Sequence, residues 1–160
     1  MDDKQIRKDR LRYTKNSLSS GLTYLAILFN VLYFVNIYRS DVGNYYYTWL
    51  TGVSIVYNLL FLLTAFLCSE GVKRYHFGYS VTLLVIGALQ FVRIFIIPKR
   101  AAKTVINTGG VEQAVMTGSQ HTAVVIFLTV SGILCIIAGV VGMIKSIRLR
   151  NYEAQLAGKA

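Results

Sequence analysis

Four apolar runs, Leu22 to Tyr38, Trp49 to Cys68, Tyr79 to Ile97 and Thr122 to Ile144, constrain this chain more than any other feature. Each is close to the roughly 20 residues that, at about 1.5 Å rise, carry a helix across a hydrocarbon core about 30 Å thick. None contains proline, and Pro98 follows directly on the third, where it disfavours helix in its predecessor. Hydrophobic residues make up 54% of the chain, against roughly 45–50% in soluble domains. The expected fold is all-α and integral to the membrane. It is one four-transmembrane-helix bundle over residues 1–160, with spans near 22–38, 49–68, 79–97 and 122–144. No linker is long enough to set off a second domain, and no repeat points to the inverted halves of secondary transporters.

Where the charges fall gives an orientation. Of 17 basic residues, 12 lie on the side shared by both tails and the second loop. They are Lys4, Arg7, Lys8, Arg10, Arg12 and Lys15, then Lys73 and Arg74, then Lys145, Arg148, Arg150 and Lys159. The first and third loops hold Arg39, Lys99, Arg100 and Lys103. Positive charge collects on cytoplasmic segments, so both termini are expected inside, in the plasma membrane. The net charge of +10 is read as this topology signal, and no nucleic-acid partner is expected. The first span is expected to be retained: Asn30 and Asn36 lie within it, and "VNIYRSDVG" offers no small-residue cleavage pattern.

Helical spacing sorts each span into faces. Thr23, Ala26, Asn30, Tyr33 and Ile37 share one face of the first span, and Thr51, Ser54, Asn58, Phe61, Ala65 and Cys68 one face of the second. The third span carries Gly87, Gln90 and Arg93 together. In the fourth, Gly132, Cys135, Gly139, Gly142 and Ser146 form a seam of small residues, the kind that lets helix backbones approach closely in lipid. The seam serves either packing within the bundle or contact with another subunit.

Arg93 is the one charge inside an apolar run. At about 1.5 Å per residue from the outer span ends, it lies roughly 6 Å deep, with Tyr33 at roughly 7, Gln90 at 10, Asn30 at 12 and Asn58 at 14 Å. Three placements follow. Its side chain snorkels outward beside Lys99 and Arg100; or Asn30, Tyr33, Asn58 and Gln90 accept from its donors in one polar layer; or it binds an anion.

The aromatic residues of "YRSDVGNYYYTW" and "KRYHFGY" fit the outer and inner interfacial belts. In the third loop, "KTVIN" and "EQAVM" flank "TGG" and read as a short β-hairpin, placed to cap the bundle or to touch a neighbouring subunit. Cys68 and Cys135 fall at different depths and are not expected to meet; both read as packing residues. All seven acidic residues are assigned to tails or loops.

Chemistry-bearing patterns are missing. His76 and His121 lie on opposite sides without ligand-spaced neighbours, and there is no phosphate loop, nucleophile elbow or carboxylate pair. No catalysis, metal or cofactor is expected. The expected function is a non-catalytic accessory or scaffolding subunit of a larger plasma-membrane assembly, such as a transporter complex. Its partners are the lipid bilayer and other membrane subunits, with a hetero-complex ahead of a homo-oligomer. The alternatives are a homo-oligomeric channel or carrier for an anionic or polar solute, built on the Arg93 layer, and a membrane sensor or regulator.

Overall fold

The computed structural model describes residues 14–40, 49–108 and 110–157. The basic tail as far as Arg12, Lys159, the run Tyr45 to Tyr47, and the side chains of Trp49 and Thr51 lie outside the described residues. The elements are α1 (Ser17–Tyr38), α2 (Trp49–Lys73), α3 (Phe77–Ile94), α4 (Pro98–Ala101), β1 (Val105–Thr108), β2 (Val111–Ala114) and α5 (Gly118–Ala157). The helices α1, α2, α3 and α5 are long and apolar enough to cross a membrane. Their outward faces, for instance Leu28, Val56, Leu60, Leu63 and Val85, are exposed hydrocarbon, suited to lipid rather than water.

The helices overrun the apolar runs because polar residues continue them. Asn16 caps α1, its side chain accepting from the Ser19 N–H, which starts the helix before Leu22. α2 continues to Lys73, so Glu70, assigned to a loop from sequence, is helical. It pairs with Lys73 at 3.1 Å and accepts from the Tyr24 hydroxyl at 3.1 Å. The stop comes from a pair of bonds that turns the chain back: Tyr75 N–H donates to Val72 O at 3.1 Å and His76 N–H to Gly71 O at 3.2 Å. This closure places Tyr75 at φ 61°, a position glycine usually fills. The Ser146 hydroxyl donates to its carbonyl at 2.6 Å.

α5 has 40 residues and is about 60 Å long, twice the hydrocarbon thickness. Neither glycine nor proline occurs from Lys145 to Ala157, so the helix continues roughly 20 Å past the last apolar turn.

In the bundle α1 and α3 each pack against both α2 and α5, which puts α1 opposite α3 and α2 opposite α5. At one end Asn16 ties three helices together. Its N–H donates to Lys73 O at 3.0 Å, and Lys145 Nζ donates to its Oδ1 at 2.9 Å. The other end carries the segment between α3 and α5. There β1 and β2 pair antiparallel, Val105 opposite Ala114 and Thr108 opposite Val111, as the hairpin pattern predicts, and Gly110 takes φ 88° at the turn. The strand β2 is exposed throughout. Val115 and Met116, directly after it, turn inward and close the bundle end against Tyr33, Ile37, Ala101, Val124 and Leu128.

The small-residue seam of α5 is consumed within the chain. A Cβ on Gly132 would stand 3.1 Å from Gly87 O, one on Gly87 3.0 Å from Gly132 O, and one on Gly139 2.9 Å from Ser80 O. At Gly142 the neighbours are the hydroxyls of Ser80 and Ser19. Hydroxyls also pin α1 to α5: Ser131 Oγ donates to Ala26 O at 2.9 Å, and Ser19 Oγ donates to Ala138 O. Cys68 and Cys135 are buried free thiols. Because α2 runs past Cys68, both join one apolar cluster with Ala26, Phe61, Ala65 and Ala138, which corrects their expected separation.

Candidate functional site

Between that cluster and the one under the hairpin lies a layer of polar side chains. It follows from the stripes of the three helices: Asn30 sits one turn above Ala26 on α1, Asn58 one turn from Phe61 on α2, and Gln90 one turn and Arg93 two turns above Ile86 on α3, all buried. The Arg93 guanidinium turns into this layer. Its Nη1 donates to Asn30 Oδ1 at 3.0 Å and to Gln90 Oε1 at 3.0 Å, and Nη2 donates to Asn58 Oδ1 at 2.6 Å. Gln90 Nε2 donates to Asn30 Oδ1 at 3.1 Å, and Asn30 Nδ2 to Asn58 Oδ1 at 3.5 Å.

Two aromatic rings complete the shell. The guanidinium carbon is 4.5 Å from the Tyr33 ring centre and 4.6 Å from that of Tyr57, within the reach of cation–π attraction. With only 7% of its surface exposed, Arg93 does not snorkel. The physical reason is that three amide oxygens, each from a side chain at nearly the same depth, can replace water around a planar fork of five donors. Lys99, by contrast, lies over the Phe95 ring at 5.1 Å, and Arg100 is exposed.

The structure thus brings Asn30, Tyr33, Asn58, Gln90 and Arg93 into one bonded cluster. It keeps Gly132, Cys135, Gly139 and Gly142 apart from it, along the α3 and α5 contact. Tyr57 belongs to the site and is absent from the stripe read on α2. It lies one residue before Asn58, about 100° around the helix, and the only signal for it is that an aromatic next to a polar stripe can reach a neighbouring cation.

Two groups at the site lack partners among the described residues. The Asn58 Nδ2 and the Tyr57 hydroxyl are enclosed without a hydrogen bond. Beside them, between α2 and α3, is a cavity of about 140 Å³ lined by Tyr33, Val53, Ser54, Tyr57, Leu89, Val92, Arg93, Ile96 and Ile97. Among the described residues no three His, Cys, Asp or Glu side chains gather where a metal ion would be held. Searches with protein-family models, against curated proteins and against solved structures found nothing that matches this chain.

Proposed function

We propose that this chain is a non-catalytic accessory or scaffolding subunit of a larger plasma-membrane assembly, of the kind that includes transporter complexes. The observation that carries the reading is the closed state of the polar layer. A transport path needs polar groups that follow one another across the membrane, whereas these bond to each other at one level. Apolar packing lies on both sides: Ala26, Phe61, Leu83 and Cys135 beneath, Ile37, Val124 and Leu128 above. Polar groups used this way fix which helices meet and in what register.

With the glycine seam engaged inside the bundle, contact with other subunits falls to what the bundle leaves over. These are the exposed hairpin, with Val105 and Val111 outward, and the part of α5 beyond Ile144 with its exposed Arg148 and Arg150. Purification of the full chain in mild detergent is expected to recover further membrane subunits. The double variant Val105→Ser, Val111→Ser should reduce that recovery while the monomer stays folded. Vesicles holding the purified chain alone should show unchanged anion permeability. Anion flux through the chain alone, with no co-purifying subunit, would instead favour the homo-oligomeric channel or carrier.

Charge bias supports an orientation with both termini cytoplasmic. In intact cells a membrane-impermeant thiol reagent should label Glu112→Cys and leave Ala154→Cys untouched. Glu112 suits this better than Gly110, whose φ of 88° disfavours a side chain, and the two native cysteines are buried. Labelling of Ala154→Cys from outside would reverse the orientation.

A further inference from the structure

We infer that the groove between α2 and α3 is a binding site for a carboxylate-bearing single-chain lipid, with the carboxylate at Arg93 and the chain leaving between the two helices into the bilayer. Four observations on different atoms lead there. First, the guanidinium sits among neutral partners: amide oxygens and two tyrosine rings surround it, and among the described residues no carboxylate is paired with it. A charge in a low-dielectric site is best matched by an opposite charge.

Second, the three amide bonds use three of the five guanidinium donors, and the Tyr33 hydroxyl takes part as well, so the fork keeps a donor for one further acceptor. A carboxylate oxygen is the strongest acceptor such a donor can take. Third, Tyr57 lines the groove and its hydroxyl is enclosed and unpartnered among the described residues; an enclosed hydroxyl without an acceptor is costly. A carboxylate oxygen accepts from it. Ser54 and Tyr33, whose side chains bond to each other, line the same wall.

Fourth, the mouth is apolar and faces lipid. Val53 and Val92 on its rims are 55% and 53% exposed, so the occupant arrives through the bilayer and not from solution. The volume of about 140 Å³ is comparable with the roughly 150 Å³ cavity that accepts benzene. It admits a carboxylate and its first few methylenes and is too small for a glycerophosphate with two chains. Arg93 is the second-last residue of α3, a depth of roughly 6 Å, which lets the carboxylate stay close to the headgroup level.

The test uses the full chain in phosphatidylcholine vesicles and a palmitate analogue with a photoreactive diazirine at mid-chain. Cross-linking is expected on α2 or α3 near Val53 or Val92. Palmitate should displace the probe, and methyl palmitate, which has lost the charge, should do so at least about tenfold more weakly. Tyr57→Phe should weaken palmitate competition by roughly five- to tenfold while thermal stability is kept or raised, since it removes an unpartnered hydroxyl. Val92→Trp, which fills the mouth from the lipid side without touching the polar layer, should abolish labelling in a stable protein. Equal competition by methyl palmitate would overturn the inference in favour of simple apolar filling. Equal competition by acetate would reassign the site to a free anion, and displacement by phosphatidylglycerol at lower concentration to a phospholipid. Undiminished labelling of Val92→Trp would remove the groove altogether.

Discussion

Arg93→Leu should destabilise the purified protein by roughly 2–3 kcal/mol, a sum of small terms. Hydrogen bonds between membrane helices average about 0.6 kcal/mol and reach about 1.7, and the guanidinium makes three, one within α3 and two to other helices. The two ring contacts add about 0.5–2 kcal/mol each. Against this stands the relief of a desolvated charge, and the amides keep part of their pairing through Gln90 to Asn30 and Asn30 to Asn58. Arg93→Lys should lose about half as much, because it retains the charge without the planar fork. Asn58→Leu should be worse than Arg93→Leu, since it leaves the cation in place short of an acceptor. Unfolding is readable without introduced cysteines: Cys68 and Cys135 are buried, so a thiol-reactive fluorophore reports their exposure on heating. A Lys variant as stable as the parent, with a Leu variant within about 0.5 kcal/mol, the range of ordinary surface changes, would show that the layer contributes no structure.

Gly139→Leu should cost at least about 3 kcal/mol, the upper range of overpacking, or stop the bundle from assembling. The added Cβ alone meets Ser80 O at 2.9 Å, and the Leu84 side chain lies equally near. A backbone oxygen cannot rotate aside, so α3 and α5 must separate. Gly21→Leu is the matched control. It too replaces a glycine within a helix, but nothing stands within 4 Å of the new Cβ, and the change should be neutral to slightly stabilising from helix propensity. Val140→Leu, on the exposed side of the same turn of α5, should stay within about 0.5 kcal/mol. If Gly139→Leu and Gly21→Leu melted together, close approach of α3 and α5 would not be what the glycine provides.

Periodicity and depth made a good part of this bundle legible. The stripe Thr23, Ala26, Asn30, Tyr33, Ile37 is buried at every position, and so are Gly132, Cys135, Gly139 and Gly142. Spacing fixes a face because side chains project at a set angle per residue, and hydrophobicity in lipid does not blur which residues are small or polar. The direction of Arg93 was not legible. An arginine one turn from a span end reaches either the headgroups or the interior, and the choice depends on whether acceptors on other helices arrive at its level. The serine pins were hidden for a related reason: Ser19 and Ser131 each donate to a carbonyl on another helix, and a carbonyl carries no side-chain signal. Hydropathy likewise ends α5 at Ile144, because it measures what lipid accepts and not where helical hydrogen bonding stops.

The serine pins bear on the order in which a ribosome delivers this protein. Ser131 reaches Ala26 across 105 residues, and Ser19 reaches Ala138 across 119. A nascent chain that has inserted α1 to α3 can already form the α1 to α2 and α2 to α3 contacts and gather Asn30, Asn58, Gln90 and Arg93. The side of α3 that carries Gly87 and Ser80 and the serine side of α1 still face lipid at that stage. Only the last helix satisfies both, so insertion of α5 acts as a latch on a half-built assembly. A chain cut short before Gly118 therefore carries its defect as an open flank, with the Arg93 layer formed, in the state that membrane quality control would meet first.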